Sequence, residues 1–359
     1  MKLVFLTWRD LANPSAGGAE VMFDRILREL RVRGYDVTLL CGRPVAEREY
    51  RVVAAGGTYS QYLLIPFACV TRFRQADLVI DSENGFPFFS PLWRRRPSIC
   101  AVHHIHADQW QTRFPKTVAA ICRTIETRLM PKIYRNTTFV AISQSTAVSL
   151  EEIGVNPAHI RVIEPGIDVT IDCLPTKSVE PLYLSLSRLV PQKRISLLLR
   201  AWELASERIP GRLVVAGDGP EFANLSEMAS KIPRTQMVGR VTEEEKTQLL
   251  GESWMLISTS SHEGWGINVL EAATLGTPTL AIDASGIRDA VEDGVTGVLV
   301  RGEAGHLVTA LANAWVDLAL DNETRQKMGN AARQRSAQFG WRSTIDKWIS
   351  VIEEVSRSS

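Results

Sequence analysis

The chain has 359 residues, which is long for a single core and enough for two domains of ordinary size. Its hydrophobic share of 45% and charged share of 23% are those of a soluble globular protein. A net charge of +1 argues against nucleic acid as the main partner, because nucleic-acid-binding domains usually carry a clear basic excess.

Cysteine usage and the first residues bear on the cellular compartment. The five cysteines are odd in number and contain no CxxC pair, which indicates a reduced, cytoplasmic protein. The start MKLVFLTW enters a strand directly and lacks the long apolar core and small-residue cleavage site of a signal peptide. No apolar run is long enough to span a bilayer.

The chain opens with a β-α-β pattern. Lys2–Thr7 reads as a buried strand, Gly17 and Gly18 open a helix that Gly34 ends, and Val37–Cys41 reads as the next strand. A glycine-rich first turn in such a unit predicts a Rossmann-type start. The turn does not match the dinucleotide fingerprint G-x-G-x-x-G, which weakens the alternative of an NAD-dependent dehydrogenase.

Three histidines follow the strand predicted at Ser98–Val102. His103, His104 and His106 are close enough in sequence to raise the question of a metal site. No HExxH spacing or partner cysteine accompanies them, so we expect no metal there.

A basic helix is predicted from Phe114 to Arg135, kinked or broken near Pro131. Together with the cluster Arg94–Arg96 it gives the first half a basic character. Two interpretations stay open: an ordinary solvated helix face, or a surface for an anionic acceptor or for a membrane that bears a lipid-linked one.

The second half restarts the β-α-β rhythm after a polar, proline-bearing linker at 171–181. Leu182–Ser187 reads as a strand, and Arg188 and Lys193 follow it in a loop that leads into a helix. The helix dipole disfavours cations at this place, so their presence favours a function. An arginine and a lysine so placed can clamp a diphosphate without a metal.

The most informative stretch lies between the strand predicted at Trp254–Thr259 and the stop signals Gly276 and Pro278. Gly264 and Gly266 allow a tight turn and a close approach to a ligand, and helical spacing begins at Ile267. A glycine loop that opens a helix presents free N–H groups, which favour an anion such as phosphate.

Two carboxylates flank this anion site, and they raise the alternative of a glycosidase. The acid pair of a glycosidase faces one bond from about 5 to 9.5 Å apart. Glu263 and Glu271 are eight positions apart, which in a helix corresponds to roughly 12 Å. The pair therefore suits two parts of one elongated ligand better than the two sides of one bond.

The letters EGWGINVLEA, from Glu263 to Ala272, are similar to the signature of the retaining glycosyltransferases of family 4. The resemblance extends over nearly the whole chain, with GGAE at the first helix and GDGPE after a strand at Arg212–Ala216. It implies an α/β protein of the GT-B fold, with two Rossmann-like domains facing an interdomain cleft. The implied domains are residues 1–170 on the acceptor side and 178–338 on the nucleotide-sugar side. A C-terminal helix at about 340–359 would cross back to the first domain.

The resemblance also implies roles for individual residues. Glu263 would contact the donor sugar and Glu271 the ribose, while Arg188 and Lys193 would bind the pyrophosphate. The remaining donor contacts are the phosphate-lining Gly266, Ile267 and Asn268, the base-facing loop Gly239, Arg240 and Val241, the loop glycines Gly17 and Gly18, and His103 near the sugar, with His104 as the reserve.

The expected function is transfer of a sugar from a nucleoside-diphosphate sugar, used as co-substrate, to a hydroxyl of a glycoside, glycolipid or polysaccharide precursor. The family's front-face mechanism needs no carboxylate nucleophile, no cofactor and no protein-bound metal. The alternatives are a nucleotide-sugar 2-epimerase of the same fold and a non-catalytic nucleotide-sugar-binding protein. A phosphorylase is weakened by the chain's length. The donor base, the sugar and the acceptor are left open.

Overall fold

A computed structural model describes residues 1–14, 16–107, 109–168, 175–303 and 305–357. The chain divides into two compact units. The first contains Met1–Gly166 and Trp341–Ser359, and the second contains Ile167–Gly340. Residues 171–174 of the linker predicted at 171–181, which include Cys173, lie outside these described ranges, and so does Asp108.

The first unit is built on a parallel sheet of seven strands in the order β3-β2-β1-β4-β5-β6-β7. Its strands are β1 (Lys2–Arg9), β2 (Asp36–Gly42), β3 (Arg51–Ala54), β4 (Leu78–Glu83), β5 (Ser98–Val102), β6 (Thr138–Ala141) and β7 (Ile160–Val162). Its helices before the crossover are α1 (Gly18–Val32), α2 (Gln61–Thr71), α3 (Ser90–Trp93), α4 (Trp110–Arg113), α5 (Lys116–Thr124), α6 (Met130–Ile133) and α7 (Gln144–Glu152). Apolar runs such as Leu3–Leu6 are fully buried, as a parallel sheet covered by helices requires.

The second unit repeats this plan with six parallel strands in the order β10-β9-β8-β11-β12-β13. Its strands are β8 (Leu182–Leu186), β9 (Arg212–Ala216), β10 (Thr235–Gly239), β11 (Met255–Ser258), β12 (Thr279–Ile282) and β13 (Gly297–Val300). Its helices are α8 (Ile195–Ser206), α9 (Phe222–Ala229), α10 (Glu243–Glu252), α11 (Ile267–Thr274), α12 (Ile287–Ala290), α13 (Leu307–Leu320) and α14 (Asn322–Ser336). The core of the unit centres on Tyr183, Trp202 and Trp315, whose rings pack against one another at tilted and edge-on angles. The predicted architecture of two Rossmann-like halves is therefore confirmed.

The last helix, α15 (Trp341–Arg357), belongs to the first unit. Trp348 packs against Phe5 of β1 and Phe23 of α1. The hydroxyl of Thr344 donates to the Glu164 carbonyl at 2.9 Å. The predicted return of the C-terminal helix to the N-terminal half is thus present.

The basic helix, predicted over 114–135 with a kink or a break near Pro131, is divided in the structure into α5 and α6. Between α5 and α6 the backbone forms a π-helical turn at Ile125–Leu129. Pro131 then sits in the first turn of α6, where its missing N–H leaves no helical hydrogen bond unmade.

Four cysteines, Cys41, Cys69, Cys100 and Cys122, are buried and unpaired. No helix in the described ranges has both the length and the apolar composition needed to cross a bilayer.

Candidate active site

The predicted donor residues of the second unit collect at the centre of its sheet. The strand order reverses direction between β8 and β11, which pair side by side. In open α/β sheets, ligands bind at the carboxyl ends of the strands at such a switch point. Arg188 and Lys193 follow β8, and Glu263 follows β11, so the fold brings all three to this edge.

Arg194 ties the two loops together at the switch point. Its guanidinium donates to the carbonyls of Thr259 at 2.7 Å and Ser260 at 2.9 Å. The Thr259 hydroxyl returns a bond to the Lys193 carbonyl at 2.8 Å. Sequence reasoning gave Arg194 no role. A usable signal was a third cation directly at the start of α8, a place the helix dipole disfavours.

Glu263 is held by two donors from these loops. The Lys193 ammonium forms an ion pair with Glu263 Oε1, and the Ser260 hydroxyl donates to the same oxygen at 2.7 Å. The side chains of Lys193 and Glu263 keep 13% and 17% of their surface exposed. The pair is therefore sheltered yet open to a ligand.

The glycine loop opens α11 with a left-handed residue. Gly266 has φ of 85°, a conformation that residues with a side chain adopt at a cost. The N–H groups of Ile267 and Asn268 make no hydrogen bond within the described ranges. The Asn268 side chain is already used, since its amide donates to the Leu186 carbonyl at 2.7 Å. Only the backbone of Asn268 is available to bind an anion.

Gly286 keeps Glu263 in place through close backbone contact. Its φ is 77°, and a Cβ there would lie 2.3 Å from the Glu263 carbonyl oxygen. The Glu263 N–H donates to the Ser285 carbonyl at 3.0 Å. A side chain at position 286 would push the Glu263 loop out of register.

Glu271 has a different partner, on a different element. Lys246 of α10 donates to Glu271 Oε1 at 2.8 Å. Burial raises the pKa of Glu271, and Lys246 opposes that rise. The pKa of Lys246 is itself raised, because Glu271 and Glu243 outweigh the effect of its burial. The two carboxylates thus pair with lysines on different elements.

The remaining donor-side residues stand in two further places. Gly239 ends β10, at the edge of the sheet, and is followed by Arg240 and Val241; the Gly239 carbonyl accepts from the Gly217 N–H at 2.7 Å. Arg188 is exposed and pairs with no residue of the described ranges. Of the two predicted pyrophosphate contacts, Lys193 forms an ion pair with Glu263, whereas Arg188 forms none with a carboxylate of the described ranges.

In the first unit, Gly17 and Gly18 begin α1 at the carboxyl end of β1. The Gly17 N–H donates to Glu20 Oε2 at 2.7 Å, and Arg9 pairs with Glu20 Oε1 at 3.0 Å. Glu20, the acid of the GGAE motif, therefore braces the loop and is not free for a ligand.

His103 directly follows β5 and is 4% exposed. Its ring packs edge-on against Phe23 with centroids 5.2 Å apart, and no described residue accepts or donates at Nε2. Burial, assisted by nearby His106, lowers the pKa of His103 to about 4. The imidazole is therefore neutral at neutral pH and has one free ring nitrogen.

His106 lies in a buried cluster with Glu83 and Glu126, whose ligand-type atoms are within 4.8 Å of one another. Glu126 already accepts from the His106 N–H at 2.6 Å and from the Trp110 indole at 2.8 Å. Burial, together with the neighbouring Glu126, raises the pKa of Glu83 well above its usual range. The three side chains are metal-ligand types, but this carboxyl can also stay neutral by keeping a proton. His104, the reserve choice, stacks on His106.

The structure therefore groups Arg188, Lys193, Glu263, Glu271 and the start of α11 on one sheet edge of the second unit. It groups the loop glycines and His103 on the corresponding edge of the first unit. The predicted roles of these residues stay predictions.

Two family models match consecutive parts of the chain. One, described as Glycosyltransferase Family 4, matches residues 16–171. The other, described as Glycosyl transferases group 1, matches residues 172–335. Between them they cover most of both units.

Curated relatives are similar over part of their length. The D-inositol 3-phosphate glycosyltransferase of Kribbella flavida is 32% identical over 214 residues, 53% of this chain and 50% of that protein. The sulfoquinovosyl transferase SQD2 of Arabidopsis thaliana is 30% identical over 172 residues, 47% of this chain and 32% of that protein. The matched part is thus about half or less of each relative's length.

Solved structures share the fold over the whole chain. The Anabaena protein HepE, solved with UDP and glucose, has a TM-score of 0.79 at 19% identity and covers 99% of this chain and 100% of its own. The sucrose-phosphate synthase of Thermosynechococcus elongatus has a TM-score of 0.82 at 18% identity, with both chains covered completely.

Proposed function

This chain belongs to the family 4 glycosyltransferases of the GT-B fold, and we propose that it transfers a sugar from a nucleoside-diphosphate sugar to an acceptor hydroxyl. The observation that carries the proposal is the Lys193–Glu263 pair beside the open start of α11. A cation, a carboxylate and free N–H groups in one place suit the junction of a diphosphate and a sugar.

The donor would make use of this arrangement as follows. Its diphosphate accepts hydrogen bonds from the N–H groups of Ile267 and Asn268 and forms ion pairs with Arg188 and Lys193. The Lys193 ammonium has three N–H donors, so it can donate to a phosphate oxygen while it still donates to the Glu263 carboxylate. Glu263 accepts from a sugar hydroxyl, and Glu271 accepts from the ribose diol.

In the transfer step, the bond between the anomeric carbon and the β-phosphate oxygen breaks, and a bond from that carbon to the acceptor oxygen forms. The acceptor proton passes to the departing phosphate on the same face of the sugar, so the anomeric configuration is retained. Arg188, Lys193 and the helix N–H groups stabilise the charge that develops on the leaving diphosphate. These cations supply the role that a metal plays elsewhere, so we expect a chelator to leave the rate unchanged.

A thermal-shift panel of nucleotide sugars, beginning with UDP-glucose, identifies the donor. A ligand present at a hundred times its dissociation constant adds about 2.7 kcal/mol of stability. Product analysis by NMR then shows whether the new bond keeps the donor's configuration.

Glu263→Ala is the decisive variant. We expect it to abolish transfer while the unfolding curve stays close to that of the parent. The matched control is Glu244→Ala, an exposed glutamate on α10, which should transfer normally. Full transfer by Glu263→Ala would remove the proposed site. Conversion of the donor into its C2 epimer, with the nucleotide still attached and no acceptor needed, would indicate an epimerase. Donor binding with no turnover of any acceptor would indicate a binding protein.

Four buried cysteines, none of them bonded to another, support a cytoplasmic location, which we infer together with the function.

A further inference from the structure

Helix α2 is apolar on the side that faces away from the core. Tyr59, just before it, and Leu63, Phe67 and Val70 are 77%, 79%, 64% and 44% exposed. Their spacing of four, four and three residues puts them in one stripe. Ile65, on the opposite side, is fully buried in the core of the first unit. The helix is therefore apolar all round although it lies at the surface.

Helices α2 and α6 cover the same face of the first sheet. Val79 of β4 packs under α2, and Cys100 of β5 packs under α6. The register pairs Cys100 with Asp81, which is two residues after Val79 and so points to the same side. Side chains exposed on α2 and on the α5–α6 segment therefore belong to one side of the unit.

Exposed apolar side chains concentrate on this side. Of seventeen large apolar side chains exposed in the described ranges, nine lie between residues 59 and 129. They are Tyr59, Leu63, Leu64, Phe67, Val70, Leu92, Val118, Ile121 and Leu129, which we call the apolar face. Exposed apolar side chains gathered on one side of a unit indicate an interaction site.

The same segment is strongly basic. Residues 59–135 contain eleven lysines and arginines but five acids, in a chain of net charge +1. Three of those acids, Asp81, Glu83 and Glu126, are fully buried. The exposed cations here include Arg72, Arg74, Arg95, Arg96, Lys116, Arg123, Arg128, Lys132 and Arg135.

We propose that the apolar face and its surrounding cations dock on an anionic lipid surface. Helix α2 has eleven residues, or roughly 16 Å, so it fits the headgroup region and is too short to cross the bilayer. A symmetric dimer through this face would bring like cations together, whereas anionic headgroups neutralise them. The docking goes beyond the transfer reaction and does not depend on it.

Co-sedimentation with vesicles tests the proposal. We expect binding to vesicles of mixed phosphatidylcholine and phosphatidylglycerol, little binding to phosphatidylcholine alone, and weaker binding as salt rises. Leu63→Ser with Phe67→Ser should lower the partition at least tenfold, and so should Arg72→Ser with Arg74→Ser. All four side chains are exposed, so the variants should fold normally.

Val32→Ser with Leu320→Ser is the matched control, because these side chains are 77% and 67% exposed away from the apolar face. It should bind like the parent. Absence of binding to the anionic vesicles at low salt, or equal loss in the control, overturns the proposal. So does a dimer, detected by light scattering without lipid, that Leu63→Ser with Phe67→Ser dissociates.

Discussion

The carboxyl edges of the two sheets share a strand order but differ in charge. In the second unit, Arg188, Lys193 and Arg194 lie in the loop after β8, Lys193 pairs with Glu263, and all four side chains are partly or fully exposed. In the first unit, the corresponding edge holds Asp81 and Glu83, both fully buried. A cationic, accessible edge suits a dianionic ligand, whereas buried acids hold protons or organise neighbouring loops. One scaffold thus serves two electrostatic purposes.

The helices that lead into the fourth strand of each sheet differ in the polarity of their exposed side chains. Helix α2 leads from β3 to β4, and α10 leads from β10 to β11, so they occupy equivalent places in the topology. Helix α10 begins with exposed Glu243, Glu244 and Glu245 and is capped by Thr242. The fold therefore accepts a polar helix at this place, and the exposed apolar side chains of α2 are not a requirement of the architecture.

Among the substitutions that test this difference between the two edges, Arg188→Ala should lower turnover the most. An exposed cation without a protein partner adds little to stability, but it can stabilise the charge on a leaving diphosphate. We expect turnover to fall about 10²–10³-fold while the free energy of unfolding changes by less than about 0.5 kcal/mol. Steady-state kinetics and urea unfolding measure the two effects.

Arg200→Ala is the matched control, since Arg200 is exposed on α8, away from the switch point. It should keep parental turnover. Parental turnover in Arg188→Ala would contradict the cationic role of this edge.

Arg194→Lys should have the next largest effect. A lysine keeps the charge but cannot reproduce the fork that bonds Thr259 and Ser260 together. We expect the free energy of unfolding to fall by about 2 kcal/mol and turnover to fall roughly tenfold to a hundredfold, because the Lys193 and Glu263 loops lose their mutual register. A variant with normal turnover but reduced stability would show that the hydrogen bonds of Arg194 stabilise the fold without contributing to turnover.

The sequence predicted the local elements of the second unit's candidate site, because short-range patterns specify them. Strand, glycine loop and helix start are consecutive there, and Glu263 and Glu271 lie on that one stretch. Their cationic partners were not predictable, since Lys193 and Lys246 meet them only through the packing of separate elements. The strands were placed within a few residues, because buried parallel strands are continuous apolar runs.

Helix α2 was missed for a related physical reason. Its apolar residues show no helical period, because both of its sides are apolar. The sequence also did not predict the buried cluster of Glu83, His106 and Glu126, since its members are separated in the chain and meet only in the fold.

Lys246→Met should act on donor binding and spare the chemical step. Without the ammonium, burial and the neighbouring Glu243 raise the pKa of Glu271 unopposed, so the carboxylate accepts less well from a ribose diol. We expect KM for the donor to rise about tenfold with kcat unchanged, and the loss to grow as pH falls from 8 to 5. Lys246→Arg should restore KM. A fall in kcat with constant KM would place Glu271 away from the ribose.

Glu83→Gln should have the smallest effect, visible only in the pH dependence of stability. The pKa of Glu83 is raised in the folded chain, so its contribution is fully present below its ordinary pKa and is lost as pH rises through the folded value. Glutamine carries no charge, and the free energy of unfolding of the variant should therefore rise relative to that of the parent as pH increases. Urea unfolding between pH 5 and 9 measures the difference. Glu47→Gln, at an exposed site, should run parallel to the parent throughout. If Glu83→Gln also ran parallel, Glu83 would be ionised at every pH tested, and the first unit's edge would then need a bound cation where we infer a proton.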